Sequence, residues 1–538
     1  MDWEPQDFEG LPAVTAMYFA VLEQSGCMGM LHDLEAEVWR GVGAPCRKLG
    51  MAQAFKACTG TFFTSGVRMP LYHVKYLYEN SPTDLLFGPH VEVRSLSDTV
   101  LAQRLEELAA LDTDELTYGF GRRIEGFFGL GSDDYVLDNT DVDFDGRPRE
   151  AAAKGVAVMR YSGKCKSGRT GVLHKEVMKC CTADGVEVYS HVHDGATADA
   201  EMDLDAVRFL IEKLDPDRCI LSGDCKFCDA RILSLLDQRG FGFVTKVPEN
   251  FSDHIRDACT SSAAERFLDE SAEHPGRFTY ETHSVVSDSA GNAIGDFRLV
   301  VFRLPGGVRR AERYLRTRGL REAEKALARV WHRRFDTREQ CVEAVFEALE
   351  ETEGVYRAVL DYDFDRRLGG WMVRVRGVEA DGDLLAEAAR RRSLQVLVTN
   401  IPFSDEDRRV RRTGMTADSV VGRYLSQCVI ERRFRMEKTC YGMSHVYIHT
   451  PARQDAMIVM CNMASSVQSA MDARLEASRP KGGAKMTVER LADMLANGRL
   501  EYVRGSNMIR FSGSAASLAL FREAVERLGI NISYAFTN

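Results

Sequence analysis

The chain is short of several things, and each shortage excludes a class. It has 14 prolines in 538 residues, too few for a fibrous or proline-rich linker protein. Its 14 cysteines follow no disulfide-framework spacing, and Cys225 and Cys228 form a lone CxxC without the second pair a zinc site needs, so free thiols in a reducing cytoplasm are expected. The opening Met-Asp-Trp-Glu-Pro has neither a basic nor an apolar leader region. No apolar run approaches the ~18 residues of a membrane span; Ala456 to Ala464 comes nearest. A basic excess is missing too, since 70 Lys and Arg stand against 80 Asp and Glu, a net −10. No repeat or long low-complexity tract appears. What remains, 45% hydrophobic and 28% charged residues, is the balance of an ordinary globular protein with a sizeable core.

Arginine is unevenly spread. Arg309, Arg310, Arg313, Arg316, Arg318 and Arg321 crowd one stretch, and Arg390 to Arg392, Arg408 to Arg412 and Arg432 to Arg435 hold further clusters. A local basic surface is enough to bind phosphates, although solvated helix faces account for about half of such residues.

Periodicity divides the chain into five parts. Residues 1–125 read as a helical N-terminal domain, the best placed to bind DNA. Residues 126–250 change to strands: Tyr135 to Leu137 leads into Asp138, and Val172 to Cys180 and Val186 to Val192 form a hairpin around Ala183-Asp184-Gly185. Helix Leu204 to Leu214, a short strand ending at Gly223-Asp224, a helix from Ala230 and a strand from Phe241 complete the segment. Strand, hairpin, helix, strand, helix, strand is the order of an α/β RNase H-like core. In that fold the first and fourth strands adjoin, so Asp138 and Asp224, 86 positions apart (224 − 138), converge. Residues 251–393 read as a mixed insertion domain. Residues 394–480 resume the core, with one helix from about Asp418 to Thr439 and another from Pro451 capped by Thr450. Residues 481–538 read as a small α/β C-terminal appendage.

On a continuous helix Tyr424, Glu431 and Lys438, each seven apart, share a face, and Gln427 borders it. Asp138, Asp224 and Glu431 then suit a hard divalent cation that prefers oxygen ligands. The structural alternative pairs Glu431 with Arg435 and leaves Lys438 as a solvated end charge. Asp141, Asp143 and Asp145 read as a solvated loop, His191 and His193 as structural, and Trp371 as core.

The run from Tyr424 through Gln427 and Glu431 to Lys438 resembles the Tyr-(2)-Arg-(3)-Glu-(6)-Lys signature helix of insertion-sequence DDE transposases, the bacterial and archaeal cut-and-paste group. Leu137 to Asp141, Arg160 to Lys164, Asp194 to Asp199, Leu221 to Asp224 and Tyr447 to Arg453 resemble other motifs of that family. Gln427 departs from it, standing where arginine is usual.

The resemblance implies a metal-dependent DNA transposase. Asp138, Asp224 and Glu431 would hold two Mg²⁺ or Mn²⁺ ions, and Tyr424, Gln427 and Lys438 would contact DNA, with Lys164, Lys166 and Arg169 as further backbone contacts. The partners it implies are double-stranded terminal inverted repeats and target DNA, met by a homodimer in a nucleoid-associated complex, with a DNA-hairpin intermediate as an option. The rival readings are an RNase H-like nuclease that does not join ends and a decayed, DNA-binding relative.

Overall fold

The structure, a computed structural model, describes residues 8–40, 48–64, 70–144, 157–158, 160–161, 172–248, 259–261, 264–287, 293–331, 333–350, 352, 354–366, 369–403, 414–443, 445–446, 448–504 and 508–536. It is a mixed α/β protein, about 51% helical. No helix among the described residues is long and apolar enough to cross a membrane. The chain forms two compact units, one of residues 1–241 with 425–538 and the other of residues 242–424.

The first unit begins with β1 (Phe8–Pro12) and the helices α1 (Ala13–Gln24), α2 (Cys27–Val38), α3 (Met51–Gly60), α4 (Asp98–Ala109) and α5 (Thr113–Phe128). Ser97 and Asp112 cap α4 and α5 through their side chains, and Gly129 closes α5 in the left-handed region. Strands follow: β2 (Asp134–Phe144), β3 (Arg160–Tyr161), β4 (Leu173–Thr182) and β5 (Glu187–His193). The expected hairpin is there, with Gly185 at φ +79° in its turn. Next come α6 (Asp199–Lys213), β6 (Ile220–Gly223) and α7 (Ala230–Gln238). Within this unit the strands lie in the order β3-β4-β2-β6, with β5 on the hairpin partner β4.

One expectation changes here. Asp138 does not end its strand: β2 runs on through Asp141 and Asp143 to Phe144, because β4 pairs with it along its whole length. Asp141 and Asp143 are therefore buried ladder residues, not a solvated loop. Asp145 lies outside the described residues.

The second unit contains β7 (Gly242–Lys246), β8 (Asp269–Glu270), β9 (Phe278–Ser287), β10 (Ala293–Arg303), α8 (Gly307–Tyr314), α9 (Leu320–Val330), α10 (Arg338–Glu350), β11 (Tyr356–Asp365), β12 (Gly370–Ala380), α11 (Gly382–Arg392), β13 (Gln395–Thr399) and α12 (Ala417–Leu425). Its sheet order is β7-β13-β10-β9-β8, and β11 and β12 form a separate ribbon. Helices α8 to α11 bury Leu315, Leu327, Cys341, Val345 and Leu385 against that ribbon. Trp371 packs at the edge of this core, edge-on to Phe364 at 5.4 Å.

The chain then returns to the first unit with α13 (Cys428–Thr439), β14 (His445–Val446), α14 (Pro451–Ala477), α15 (Val488–Met494), β15 (Arg499–Val503), β16 (Met508–Ser512) and α16 (Ala515–Leu528). Helix α14 starts at Pro451 after Thr450, as its sequence predicts. It is buried on nearly every side between Ala456 and Ala470. Helix α1, buried from Ala13 to Leu22, is apolar all round in the same way and needs covering on every face. That requirement joins what the sequence divided. The N-terminal helices, α14, α16 and the end of the chain share one hydrophobic core, and β1 pairs with β15 in a three-stranded sheet. The segments read as an N-terminal domain and a C-terminal appendage are parts of a single packed body.

Candidate functional site

Strand β2 organises the site. It pairs in parallel with β6, with Asp134 opposite Ile220 and Val136 opposite Ser222. Asp138 lies two residues beyond the last paired position of β2 in this register, and Asp224 two residues beyond that of β6. On its other edge Asp138 faces Lys179 of β4. Side chains alternate along a strand, so Asp138 shares a face with Val136. That face is covered by α13, whose Ile430 and Phe434 pack on Val136 and Cys181. Glu431, next to Ile430, is exposed at the border of this contact. The three acids therefore sit on β2, on the chain just past β6, and on the helix laid over β2. Among the described residues nothing pairs with the Glu431 carboxylate, Arg435 included.

Two further acids join them from α6. The carboxylate of Asp199 accepts from the Asn139 amide on one oxygen and from the Lys226 ammonium on the other. Lys226 also donates its backbone N–H to Asp224 at 2.8 Å. One turn further along α6, Asp203 is buried. Burial pushes its carboxyl far above the ordinary carboxylate range, and the charges of Asp224, Asp199 and Asp138 push it further, with Lys226 opposing them. Lys226 shifts the other way: burial favours its neutral form, but the bond to Asp199 and the field of Asp224 outweigh it and hold the ammonium charged. No sequence signal beyond the Asp at the start of α6 marked these two acids, because only the packing of α6 against β2 brings them in.

The floor of the site is a buried ionic lattice. Lys179 lies 2.5 Å from Glu437, 3.0 Å from Glu187 and 2.7 Å from Asn462 of α14. Arg433 adds a 3.0 Å bond to Glu187. Burial would by itself neutralise these groups; the opposite charges beside them outweigh it, holding Glu437 below its usual range and Lys179 above.

The expected helix stripe is altered. Helices α12 and α13 are separate, broken at Ser426 and Gln427, where Val429 and Ile430 bond three residues back, to Ser426 and Gln427. Such a turn advances faster than an α-helix, so the single continuous helix that a shared face requires is not formed. Tyr424 belongs to the second unit, where its ring meets Phe302 edge-on at 6.2 Å. Glu431 and Lys438 do remain on one face of α13. Lys438 is not a free end charge: it lies 3.1 Å from Asp141. The side-chain nitrogen of Gln427 is buried with no hydrogen-bond partner. His191 is paired with Asp114 at 2.8 Å and its neighbour His193 is buried, which fits structural roles. Lys164, Lys166, Arg169 and Tyr447 lie outside the described residues.

The candidate donors are all carboxylate oxygens, the ligand type a hard divalent cation prefers. The triad does not close into a compact single-ion cluster. Among the described residues three ligand atoms come within 4.8 Å of one another only at Glu273, His274 and Asp418 in the second unit. There Asp418 is already bound by Arg277 at 2.9 Å and His274 at 2.7 Å, a guanidinium standing where a cation would go. No protein-family model matches the chain, and no curated protein matches it significantly.

Proposed function

We propose that the chain is a DNA transposase of the DDE type, cutting element ends and joining them to target DNA on an RNase H-like core. The observation that carries this reading is that β2, which bears Asp138, pairs in parallel with β6, which leads directly into Asp224, while the helix bearing Glu431 packs on Val136 of β2. The order of elements from β2 to α7 supports it, as does the likeness of residues 424–438 to the family's signature.

In this reading Asp138, Asp224 and Glu431 hold two divalent ions. When bound, these supply Lewis acidity toward the attacking and leaving oxygens of a phosphodiester. The chain's own residues do the rest. The lattice under Lys179 fixes β4 and α13 so that Glu431 keeps its place relative to Asp138. Asp141 holds Lys438 extended beside β2, where its ammonium can meet a phosphate. Gln427 brings a neutral amide where the family has a guanidinium, and an amide without the charge and the bidentate fork would hold a DNA end less tightly.

The test is a plasmid carrying the DNA that flanks this reading frame on both sides, incubated with the purified chain, Mg²⁺ and a second target plasmid. Cleavage at paired inverted repeats and joined products are expected, and Asp138→Asn, Asp224→Asn or Glu431→Gln should each lower the yield about 10³-fold or more. Cleavage without joining would leave a nuclease, and activity that survives Asp224→Ala would overturn the site.

A further inference from the structure

We propose that Lys226 is a tethered cation of the acid pocket, which shares the carboxylates with the divalent ions and so sets how readily the DNA-free chain takes up metal. This rests on the metal-binding reading of Asp138 and Asp224 above. Asp203 on α6 lies within electrostatic reach of Asp138, Asp199 and Asp224, and the Lys226 charge acts on it in the opposite sense. Lys226 is built into the pocket at both ends. Its backbone N–H is bonded to Asp224, and its ammonium to Asp199. Asp199 in turn is bonded to Asn139, the residue after Asp138. One carboxylate thus links the segments that carry both strand acids, with the lysine charge between them. Asp203 is buried beside them, and among the described residues no hydrogen bond or ion pair reaches its carboxyl.

A divalent ion entering this pocket meets a positive charge that is already there. A unit charge about 6 Å from a divalent ion, even at the dielectric constant of water, changes affinity about tenfold. Lys226 is about half exposed, so it can leave Asp199 and turn toward solvent as ions enter, where a DNA phosphate would be its next partner.

The test is calorimetric titration of the full chain with Mn²⁺ alone, without DNA, comparing wild type with Lys226→Met and Lys226→Gln, each checked by circular dichroism for an unchanged fold. Both variants are expected to bind Mn²⁺ about tenfold more tightly than wild type. An affinity that is unchanged or weaker in the folded variants overturns the proposal. Asp138→Asn separates the two levels of the argument. If it abolishes Mn²⁺ binding while the Lys226 variants bind as wild type does, only the role of Lys226 fails. If wild type and Asp138→Asn bind Mn²⁺ alike, the metal site itself is misassigned and both readings fall.

Discussion

At the residue scale, the chemistry near α13 depends on charges whose partners lie far away in sequence. Lys438 and Asp141 are 297 positions apart, and Asp141 is almost fully buried. Lys438→Met should therefore do more than remove a candidate phosphate contact: it takes an ammonium away from a buried carboxylate. A loss of about 1–3 kcal/mol in denaturant unfolding is expected, larger than a surface pair would give. Asp472 offers a pH test. Its carboxyl accepts the Val488 N–H at the start of α15, and burial raises its pKa to about 7, with that N–H opposing the shift. A carboxyl raised in the folded state favours its protonated form. Its contribution to stability is complete below the ordinary carboxylate range and is lost as pH climbs to about 7. Thermal melts should show wild type losing stability between about pH 4 and pH 7 relative to Asp472→Asn, which keeps the acceptor without the charge. Parallel curves would mean that Asp472 is ionised throughout.

At the element scale, the site depends on how closely helices approach the strands of the first unit. Helix α5 lies so near β5 that a Cβ on Gly121 would meet the Glu187 carbonyl oxygen at 2.0 Å. Backbone cannot yield as a flexible side chain does, so Gly121→Ala should cost about 3 kcal/mol or more and disturb Glu187 in the lattice. The melting temperature measures it, and an unchanged value would show that α5 can move away. The lattice itself is a second element-scale test. Arg433→Leu removes one of two buried cations facing Glu187 and Glu437. Breaking a buried ion network from one side typically costs about 3–5 kcal/mol. Replacing a polar lattice by an apolar one of equal volume can be neutral, so a triple change of Arg433, Glu437 and Glu187 to apolar residues should recover part of that loss. If the triple variant is worse than the single one, the lattice contributes more than charge balance.

At the scale of the whole molecule, the two ends of the chain are one structural piece. Strand β1 is paired with β15, and Ala535 and Phe536 lie in the same core as α1. Removing residues 499–538 would uncover an α1 that is apolar on every side. The truncated chain should be insoluble or molten, with loss of near-ultraviolet circular dichroism, whereas a true appendage could be removed without effect. Much of this protein was legible from its residues. Helical and strand periods, the hairpin around Gly185, the start of α14 at Pro451 and the candidate acids all follow from local patterns, because capping, turns and amphipathic spacing act over a few residues. Three things were decided by packing alone. The break before α13 interrupts the continuous helix that the seven-residue spacing assumed, since hydrogen bonds three residues apart change a helix's phase in a way that spacing does not reveal. Asp199, Asp203 and Lys226 enter the acid pocket only when α6 lies against β2. The terminal segments merge with the strands because two helices apolar all round, α1 and α14, must be covered, and the sequence states that need without saying which distant segments will meet it.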